Sequence, residues 1–132
     1  MSRMKSLSLP AKTVAGFGVM TILMGLTGLL SPQTLLDILG FPFDLAQTRT
    51  FVMASSQASI AVGSYYVLSA FQENRGFFAA TCYIRLANTL IFSAMVITGA
   101  APLGWLMVAG YEVLGAAVTT VAFQYEKQRV AK

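Results

Sequence analysis

The sequence predicts an all-α membrane protein, an up-and-down bundle of four transmembrane helices with a short interfacial helix after the first. Of its 132 residues, 56% are hydrophobic and only 11% are charged, and the mean hydropathy is +0.68. A soluble domain usually carries about 25% charged residues to wet its surface. The apolar residues also fall into four long stretches, and the basic residues lie mostly between or beyond them. We therefore expect one polytopic membrane domain over residues 1–132.

The predicted spans cover approximately residues 13–30, 50–71, 76–97 and 102–123. Each is close to the roughly 20 apolar residues that a helix needs to cross a bilayer. None alternates with the period of two that is typical of a strand. Helices also satisfy their own backbone hydrogen bonds, which lipid cannot do. The four stretches are therefore predicted to be transmembrane helices.

The first connection is long enough to contain a short helix of its own. Ser31 is suited to the N-cap position and Pro32 to the first helical turn, while Gly40 is a typical helix stop. Between them lie four apolar side chains, so residues 33–39 are predicted to form a helix in the membrane interface. Pro102 is expected in the first turn of the fourth helix.

The distribution of positive charge predicts the orientation. Four spans place both termini and the turn at residues 73–75 on one side, together with seven of the nine basic residues. The opposite side holds only Arg49, beside Asp37 and Asp44. This bias predicts cytosolic termini by the positive-inside rule. Because these charges are divided among two tails and one turn, they form no contiguous patch for nucleic acid, and we expect no nucleic-acid partner.

Two residue types restrict the chemistry of the chain. Histidine is absent, which excludes histidine-based triads and histidine metal ligands. Cys82 is the single cysteine, so neither an internal disulfide nor a thiolate cluster can form. We expect neither a metal nor a cofactor.

Two ionisable residues lie inside the predicted spans, where charge is costly and usually functional. Counted from Phe77 and Phe123 at 1.5 Å per residue, Arg85 is about 12 Å deep and Glu112 about 16 Å deep. Asn88 lies one turn beyond Arg85 on the same face of its helix. We therefore expect Arg85, Asn88 and Glu112 to form one polar cluster.

The cluster has three interpretations that the sequence leaves open. Arg85 and Glu112 can neutralise each other and lock two helices, because an unpaired buried charge costs roughly 3–5 kcal/mol. Alternatively, they line a pocket in which Glu112 is an acid or base and Arg85 holds an anionic or carbonyl oxygen. The substrate-binding residues would then be Asn88, Gln57, Ser59 and Tyr111. The third interpretation is a path for protons or ions through the same residues.

Small residues predict close helix packing. Ser55, Ser59 and Gly63 repeat every four residues, which makes a flat seam for another helix or for a second copy of the chain. Glycines are expected to do the same in the first span and in the fourth, at Gly18, Gly25, Gly28, Gly110 and Gly115. Tyr65 and Tyr66 are interpreted as members of an aromatic belt at the cytosolic interface.

Several short motifs together resemble a known family. These are Ser31-Pro32, the run Leu-Leu-Asp-Ile-Leu-Gly-Phe-Pro at residues 35–42, Arg49 and Gly63 in the second span, and Arg85 in the third. This pattern resembles the small DoxX-like four-helix membrane proteins and covers nearly the whole chain. The resemblance implies a four-helix transmembrane fold with cytosolic termini. It implies no specific function and no catalytic residues.

The leading functional expectation is a membrane protein that binds a lipophilic small molecule or serves as an accessory subunit of a membrane pathway. One alternative is a metal-free intramembrane isomerase or cyclase of lipophilic-metabolite biosynthesis, with Glu112 as its acid or base. Another is a small oligomeric transporter. The expected partners are membrane lipids, a lipophilic small molecule, and a second copy of the chain or another membrane protein.

Overall fold

The computed structural model describes residues 6–42 and 46–131. For residues 46 and 47 it describes only the backbone. Asp44, Arg3, Lys5 and Lys132, which enter the predicted charge distribution, lie outside the described residues. The described residues are helical, with no strand among them, which confirms the all-α prediction. The helices are α1 (Leu9–Leu30), α2 (Pro32–Leu39), α3 (Ala46–Phe71), α4 (Arg75–Ile97) and α5 (Leu106–Val130), with a 3₁₀ turn at Leu103–Trp105 before α5.

Three of the described helical stretches are long and apolar enough to cross a membrane. They are α1, α4 and the 28-residue stretch Leu103–Val130. Helix α3 is as long, with 26 residues, but it does not reach the same apolarity. The cause is a group of polar side chains in its middle, namely Ser55, Ser56, Gln57, Ser59 and Ser64.

The short helix after α1 is confirmed, with Pro32 as its first residue. It ends at Gly40, whose φ of 75° lies in the left-handed region that glycine adopts without a steric penalty. Ser31 precedes the helix, but its hydroxyl lies 2.7 Å from the Thr34 hydroxyl and caps no backbone N–H group. Phe41 follows the helix and donates its N–H to the Leu36 carbonyl oxygen.

The helices extend beyond the apolar stretches at the end of the molecule that holds the first and last described residues. Helix α1 begins at Leu9 because the Ser8 hydroxyl accepts a hydrogen bond of 3.2 Å from the Ala11 N–H group. Helix α5 begins after the 3₁₀ turn and continues to Val130, past the predicted end at residue 123. Hydropathy marks the part of a helix that lipid can surround, whereas backbone hydrogen bonds continue into the polar flank.

Helices α1 and α3 pack closely through glycine. Gly18 and Gly63 oppose each other, and a Cβ atom built on Gly63 would lie only 2.6 Å from the Gly18 carbonyl oxygen. A Cβ atom on Gly25 would lie 2.6 Å from the Ser56 carbonyl oxygen. The α3 residue in the seam is thus the buried Ser56, while Ser55 is exposed. The predicted close approach of another helix is confirmed at Gly63, whereas Ser55 does not face α1.

The other helix contacts leave one flank of the bundle thinly packed. Helix α4 runs along α5, and α1 meets α5 where the Thr13 and Thr119 hydroxyls lie 3.1 Å apart. Helices α3 and α4, in contrast, make few contacts besides their connecting turn. Their ring contact is Tyr66 against Phe77, with centroids 5.5 Å apart.

Polar groups join the helices at the terminal end, which is the end that holds Ser8, Glu73 and Glu126. The Ser8 N–H and hydroxyl groups each donate a hydrogen bond of 2.6 Å to the Glu73 carboxylate. Glu126 accepts from the Leu9 N–H at 2.9 Å and pairs with Arg75 at 2.8 Å. The start of α1, the α3–α4 turn and the end of α5 are therefore held together there.

Candidate functional site

Helix α4 directs Arg85 into the interior, where only 4% of the residue is exposed. Its guanidinium carbon lies 4.7 Å from the ring centroid of Phe17, 4.9 Å from that of Tyr66 and 5.7 Å from that of Tyr111. These distances are within the roughly 6 Å over which a cation is attracted to an aromatic face. We call these three rings the aromatic box. It draws one ring from each of α1, α3 and α5.

Local hydrogen bonds position the aromatic box. The Tyr111 hydroxyl donates to the Phe17 carbonyl oxygen at 2.8 Å and lies 2.9 Å from the Thr21 hydroxyl. The two rings meet edge to face with centroids 5.2 Å apart. Gly115 gives the guanidinium room, because a Cβ atom there would lie 3.0 Å from the Arg85 Cζ atom and closer still to Nη1. The predicted packing role of Gly115 is thus confirmed against a side chain.

Arg85 does not form an ion pair with Glu112. Within the described ranges, the one ion pair shorter than 4.0 Å joins Arg75 to Glu126 at the terminal end. The Arg85 Nη1 atom is buried and has no hydrogen-bond partner among the described residues. The direct Arg85–Glu112 ion pair of the first interpretation is therefore absent from the described contacts. The aromatic box stabilises the cation instead.

Glu112 lies on α5 next to Tyr111 and is half-buried. Its Oε2 atom accepts a hydrogen bond of 3.4 Å from the Asn88 side-chain nitrogen, which is a long bond for these atoms. Asn88 is half-buried on the adjacent α4 helix. The structure therefore brings Asn88 and Glu112 together, as their equal depths predict, but no ion pair within 4.0 Å joins this carboxylate to a cation among the described residues.

The remaining predicted binding residues are separated. Tyr111 belongs to the aromatic box. Ser59 is half-buried on α3 and donates its hydroxyl to the Ser55 carbonyl oxygen of its own helix at 3.1 Å. Gln57 is exposed on another face of α3, and no hydrogen bond to the cluster is described for it. No group of three metal-ligating side chains occurs among the residues that the structure describes.

Tyr66 and Phe17 are site residues that sequence reasoning missed. Tyr65 is 62% exposed, whereas Tyr66, which is predicted to belong to the same aromatic belt, faces Arg85 instead. One signal was present. Tyr66 lies five residues before the end of α3, about 8 Å inside it, which is within reach of a long arginine side chain. Phe17 carries no such signal, because nothing local marks the face of α1 that meets α4.

A cavity of about 340 Å³ lies at the far end of the molecule, which is the end that holds α2 and Trp105. The lining residues come from α2, the segment after it, the first half of α3 and the 3₁₀ turn, and they are Leu36, Leu39, Phe41, Thr48, Phe51, Val52, Ser55 and Trp105. Trp105 meets the Phe41 and Phe92 rings edge to face, each with centroids 5.7 Å apart. Its indole Nε1 atom is buried and has no hydrogen-bond partner among the described residues.

Comparison with known proteins finds no matching family model, no matching curated protein and no matching solved structure. One feature of the geometry therefore carries the functional reasoning, namely the half-buried carboxylate of Glu112 with its amide neighbour Asn88.

Proposed function

We propose that this chain is a four-helix integral membrane protein with cytosolic termini that binds a lipophilic small molecule at the Asn88–Glu112 pair. Three apolar helices of sufficient length support the membrane location. Helix α3 packs along α1 over its length, so its polar middle is partly shielded and it serves as the fourth span. The order of these helices also suits the proposed relationship to the DoxX-like membrane proteins.

The observation that carries this proposal is the environment of Glu112. A carboxyl group inside an apolar helix is costly and needs a reason. A direct ion pair with Arg85 does not supply that reason, because none within 4.0 Å is described and the aromatic box holds this cation. Apart from one long hydrogen bond from Asn88, Glu112 keeps acceptor capacity for another molecule.

The thinly packed flank between α3 and α4 supplies a route for such a molecule. These two helices touch near the terminal end, at Tyr66 and Phe77, and make few contacts elsewhere. Asn88 lies on α4 beyond Tyr66 and Phe77, counted from the terminal end, and is half-buried. A lipophile dissolved in the bilayer can therefore approach sideways, without passing through water.

The pair also indicates which polar group the lipophile carries. A carboxyl group beside a carboxamide offers hydrogen-bond donors and acceptors together, so it fits a hydroxyl or keto group on an otherwise apolar molecule. The same carboxyl group is suited to proton transfer with such a ligand, which is the observation that favours an intramembrane isomerase or cyclase as the second candidate. Both candidate functions require that the lipophile first binds at the Asn88–Glu112 pair.

Photochemical labelling tests the binding proposal. The purified protein in maltoside micelles is irradiated with a long-chain fatty alcohol that carries a diazirine, and the labelled peptides are mapped. We expect saturable labelling around Asn88 and Glu112, lowered about fivefold in Glu112→Leu and much less in Glu112→Gln, which keeps an acceptor oxygen.

The matched control for this experiment is Glu126→Leu at the terminal end, which removes a carboxylate from the same helix. Its labelling should equal that of the unmodified protein. Uniform labelling over the outer faces of α1, α4 and α5, unchanged in Glu112→Leu, would contradict the proposal. Circular dichroism and gel filtration of each variant show whether it is folded.

A further inference from the structure

An open groove with a volume of about 690 Å³ lies at the terminal end, between the start of α4 and the last turns of α5. We propose that it binds the headgroup of an anionic phospholipid, with Arg75 and Lys127 on the phosphate. The proposal rests on the membrane location given above, but not on the ligand of Glu112. Glu112 and Lys127 are 15 residues apart, about 22 Å along α5.

The groove exists because α5 continues past the helices that pack on it. Glu126 is level with the start of α1 and of α4, since it accepts from the Leu9 N–H group at 2.9 Å and pairs with Arg75 at 2.8 Å. Helix α5 then continues for one more turn to Val130, which is 89% exposed. Val130 and Glu126 lie on the same face as the buried Ala122, because they follow it at spacings of four residues. The face that is packed inside the bundle thus emerges here without a helix over it.

The depth of the groove corresponds to the headgroup layer of a bilayer. The hydrocarbon core is about 30 Å thick, and the headgroups add about 5–7 Å on each side. Counted from Leu103, where the apolar stretch begins, about 30 Å of helix ends at Phe123, and Lys127 lies about 6 Å further. On α4, Arg75 comes directly before the predicted span. Both cations therefore reach the layer that contains the phosphate groups.

The charged side chains of the groove favour an anion. Among the described residues, Lys127 has no ion-pair partner within 4.0 Å. Arg75 is held by Glu126 and by the Phe123 ring, whose centroid lies 5.1 Å from the guanidinium carbon. A guanidinium has five N–H donors, and the described bond to Glu126 uses one of them, so others are free for phosphate oxygens. Two cations and one carboxylate give the described lining a net charge of +1.

The apolar surface beside the groove distinguishes a phospholipid from a soluble phosphate compound. Phe123 and Val130 form part of the groove wall. Gln124 also lines the groove, and the exposed Ala117 and Val113 lie below it on the same side of α5, where acyl chains can run along the helix. A zwitterionic headgroup carries its own cation, which competes for the phosphate. The net positive groove therefore favours an anionic headgroup.

Native mass spectrometry of the protein in maltoside micelles measures this preference. The protein is titrated with dioleoylphosphatidylglycerol and, separately, with dioleoylphosphatidylcholine, which has the same chains but no net charge. We expect the first phosphatidylglycerol to bind with about fivefold higher affinity than the first phosphatidylcholine, the factor that one basic residue near a membrane surface supplies.

A matched pair of variants locates the binding. Lys127→Gln should lower the affinity for phosphatidylglycerol about fivefold, close to that for phosphatidylcholine. Arg129→Gln removes the same charge from the same helix, but Arg129 lies 5.1 Å from the Tyr125 ring centroid and does not line the groove. Its effect should be less than twofold. Both residues are exposed, so both variants should fold, which circular dichroism verifies.

Glycerophosphoglycerol, the same headgroup without acyl chains, identifies the source of the phosphate. A large excess should leave phosphatidylglycerol bound, and displacement would overturn the phospholipid in favour of a soluble phosphate ester. Equal affinity for the two lipids would overturn the preference for an anionic headgroup. Equal losses in Lys127→Gln and Arg129→Gln would overturn the groove as the site.

The photochemical labelling around Glu112 separates this proposal from the proposed function. Lost labelling with a retained preference for phosphatidylglycerol would overturn the function alone, and the reverse result would overturn the phospholipid site alone. Release of the protein from membranes by alkaline carbonate would overturn both, because both need the membrane location.

Discussion

The two main helix pairs of this protein are held together by different means. Helices α1 and α3 meet backbone to backbone, with Gly18 against Gly63. Helices α4 and α5 meet through polar side chains, including Asn88 with Glu112 and the Arg85 guanidinium beside Gly115. In the first pair, a Cβ atom added to a seam glycine would touch backbone atoms of the facing helix, which cannot move alone. In the second pair, the groups at the contact are the ends of side chains, which can move.

This difference indicates where the protein is free to carry function. A glycine seam fixes the distance between two helices and has no chemical group to offer. The α4–α5 pair holds Arg85 and Glu112, and its α4 flank toward α3 is thinly packed. Structure and function are thus divided between the pairs, and substitutions should separate them.

The largest effect is expected from Gly63→Val. A Cβ atom at this position would lie 2.6 Å from the Gly18 carbonyl oxygen and 3.0 Å from the Ile22 nitrogen, and neither backbone atom can move alone. Overpacking of this kind should cost about 3 kcal/mol. The free energy of unfolding is measured by SDS titration in mixed micelles.

The matched control is Gly16→Val, in a helix where no neighbouring atom lies within 4 Å of the added carbon. It carries the same change in helix propensity without the clash, so it should stay within about 1 kcal/mol of the unmodified protein. Equal losses in the two variants would mean that the seam does not hold α1 and α3 together.

The seam also shows how far the sequence predicts the fold. The number and order of the helices, the short α2 and its Gly40 stop follow from local hydropathy and turn chemistry. The rotation of α3 does not, because Ser55 and Ser56 are both small and differ by about 100° around the helix. Only the partner helix determines that Ser56 is buried and Ser55 exposed.

The next largest effect concerns Arg85. Arg85→Met should cost about 2 kcal/mol, because three cation–π contacts are lost while the unpartnered Nη1 atom is also removed. Arg85→Lys should be at least as damaging, since a compact ammonium keeps the buried charge but cannot face three rings at once. SDS titration measures both.

Which of the two Arg85 variants loses more stability distinguishes the aromatic box from an ion pair as the reason for Arg85. If Arg85 served mainly to neutralise Glu112, lysine would be tolerated and methionine would be the worse replacement. A stable Arg85→Lys protein would therefore contradict the aromatic box as the reason for Arg85. Such a result would support the hypothesis that Arg85 mainly neutralises Glu112.

The candidate site was predictable only in part, for the same physical reason. Equal depth along two helices correctly predicts the approach of Asn88 to Glu112, because the helical rise is constant. The partner of Arg85 depends on rings from three helices, and Tyr66 and Phe17 reach it only after those helices have packed. The position of a residue along its helix can be counted from the sequence, but the rotation of each helix about its axis cannot.

A smaller effect on stability is expected for Glu112→Gln. The side chain keeps its shape and an acceptor oxygen for the Asn88 amide, and no cation loses its partner. The free energy of unfolding should change by less than about 1 kcal/mol, far less than for a broken buried ion pair. A loss of about 3 kcal/mol or more in SDS titration would show that Glu112 has a mainly structural role.

The smallest effect is expected at the terminal end, from Glu126→Gln. This variant removes the charge that pairs with Arg75 at 2.8 Å, although the amide oxygen can still accept from the Leu9 N–H group. Arg75 is 53% exposed at its side chain, so the loss should be about 0.5 kcal/mol. Salt screens exposed pairs, and the difference from the unmodified protein should nearly vanish in 1 M NaCl. A larger loss that persists in salt would mean that the carboxylate mainly stabilises the amino-terminal dipole and free N–H groups of α1, where it accepts from the Leu9 N–H group at 2.9 Å.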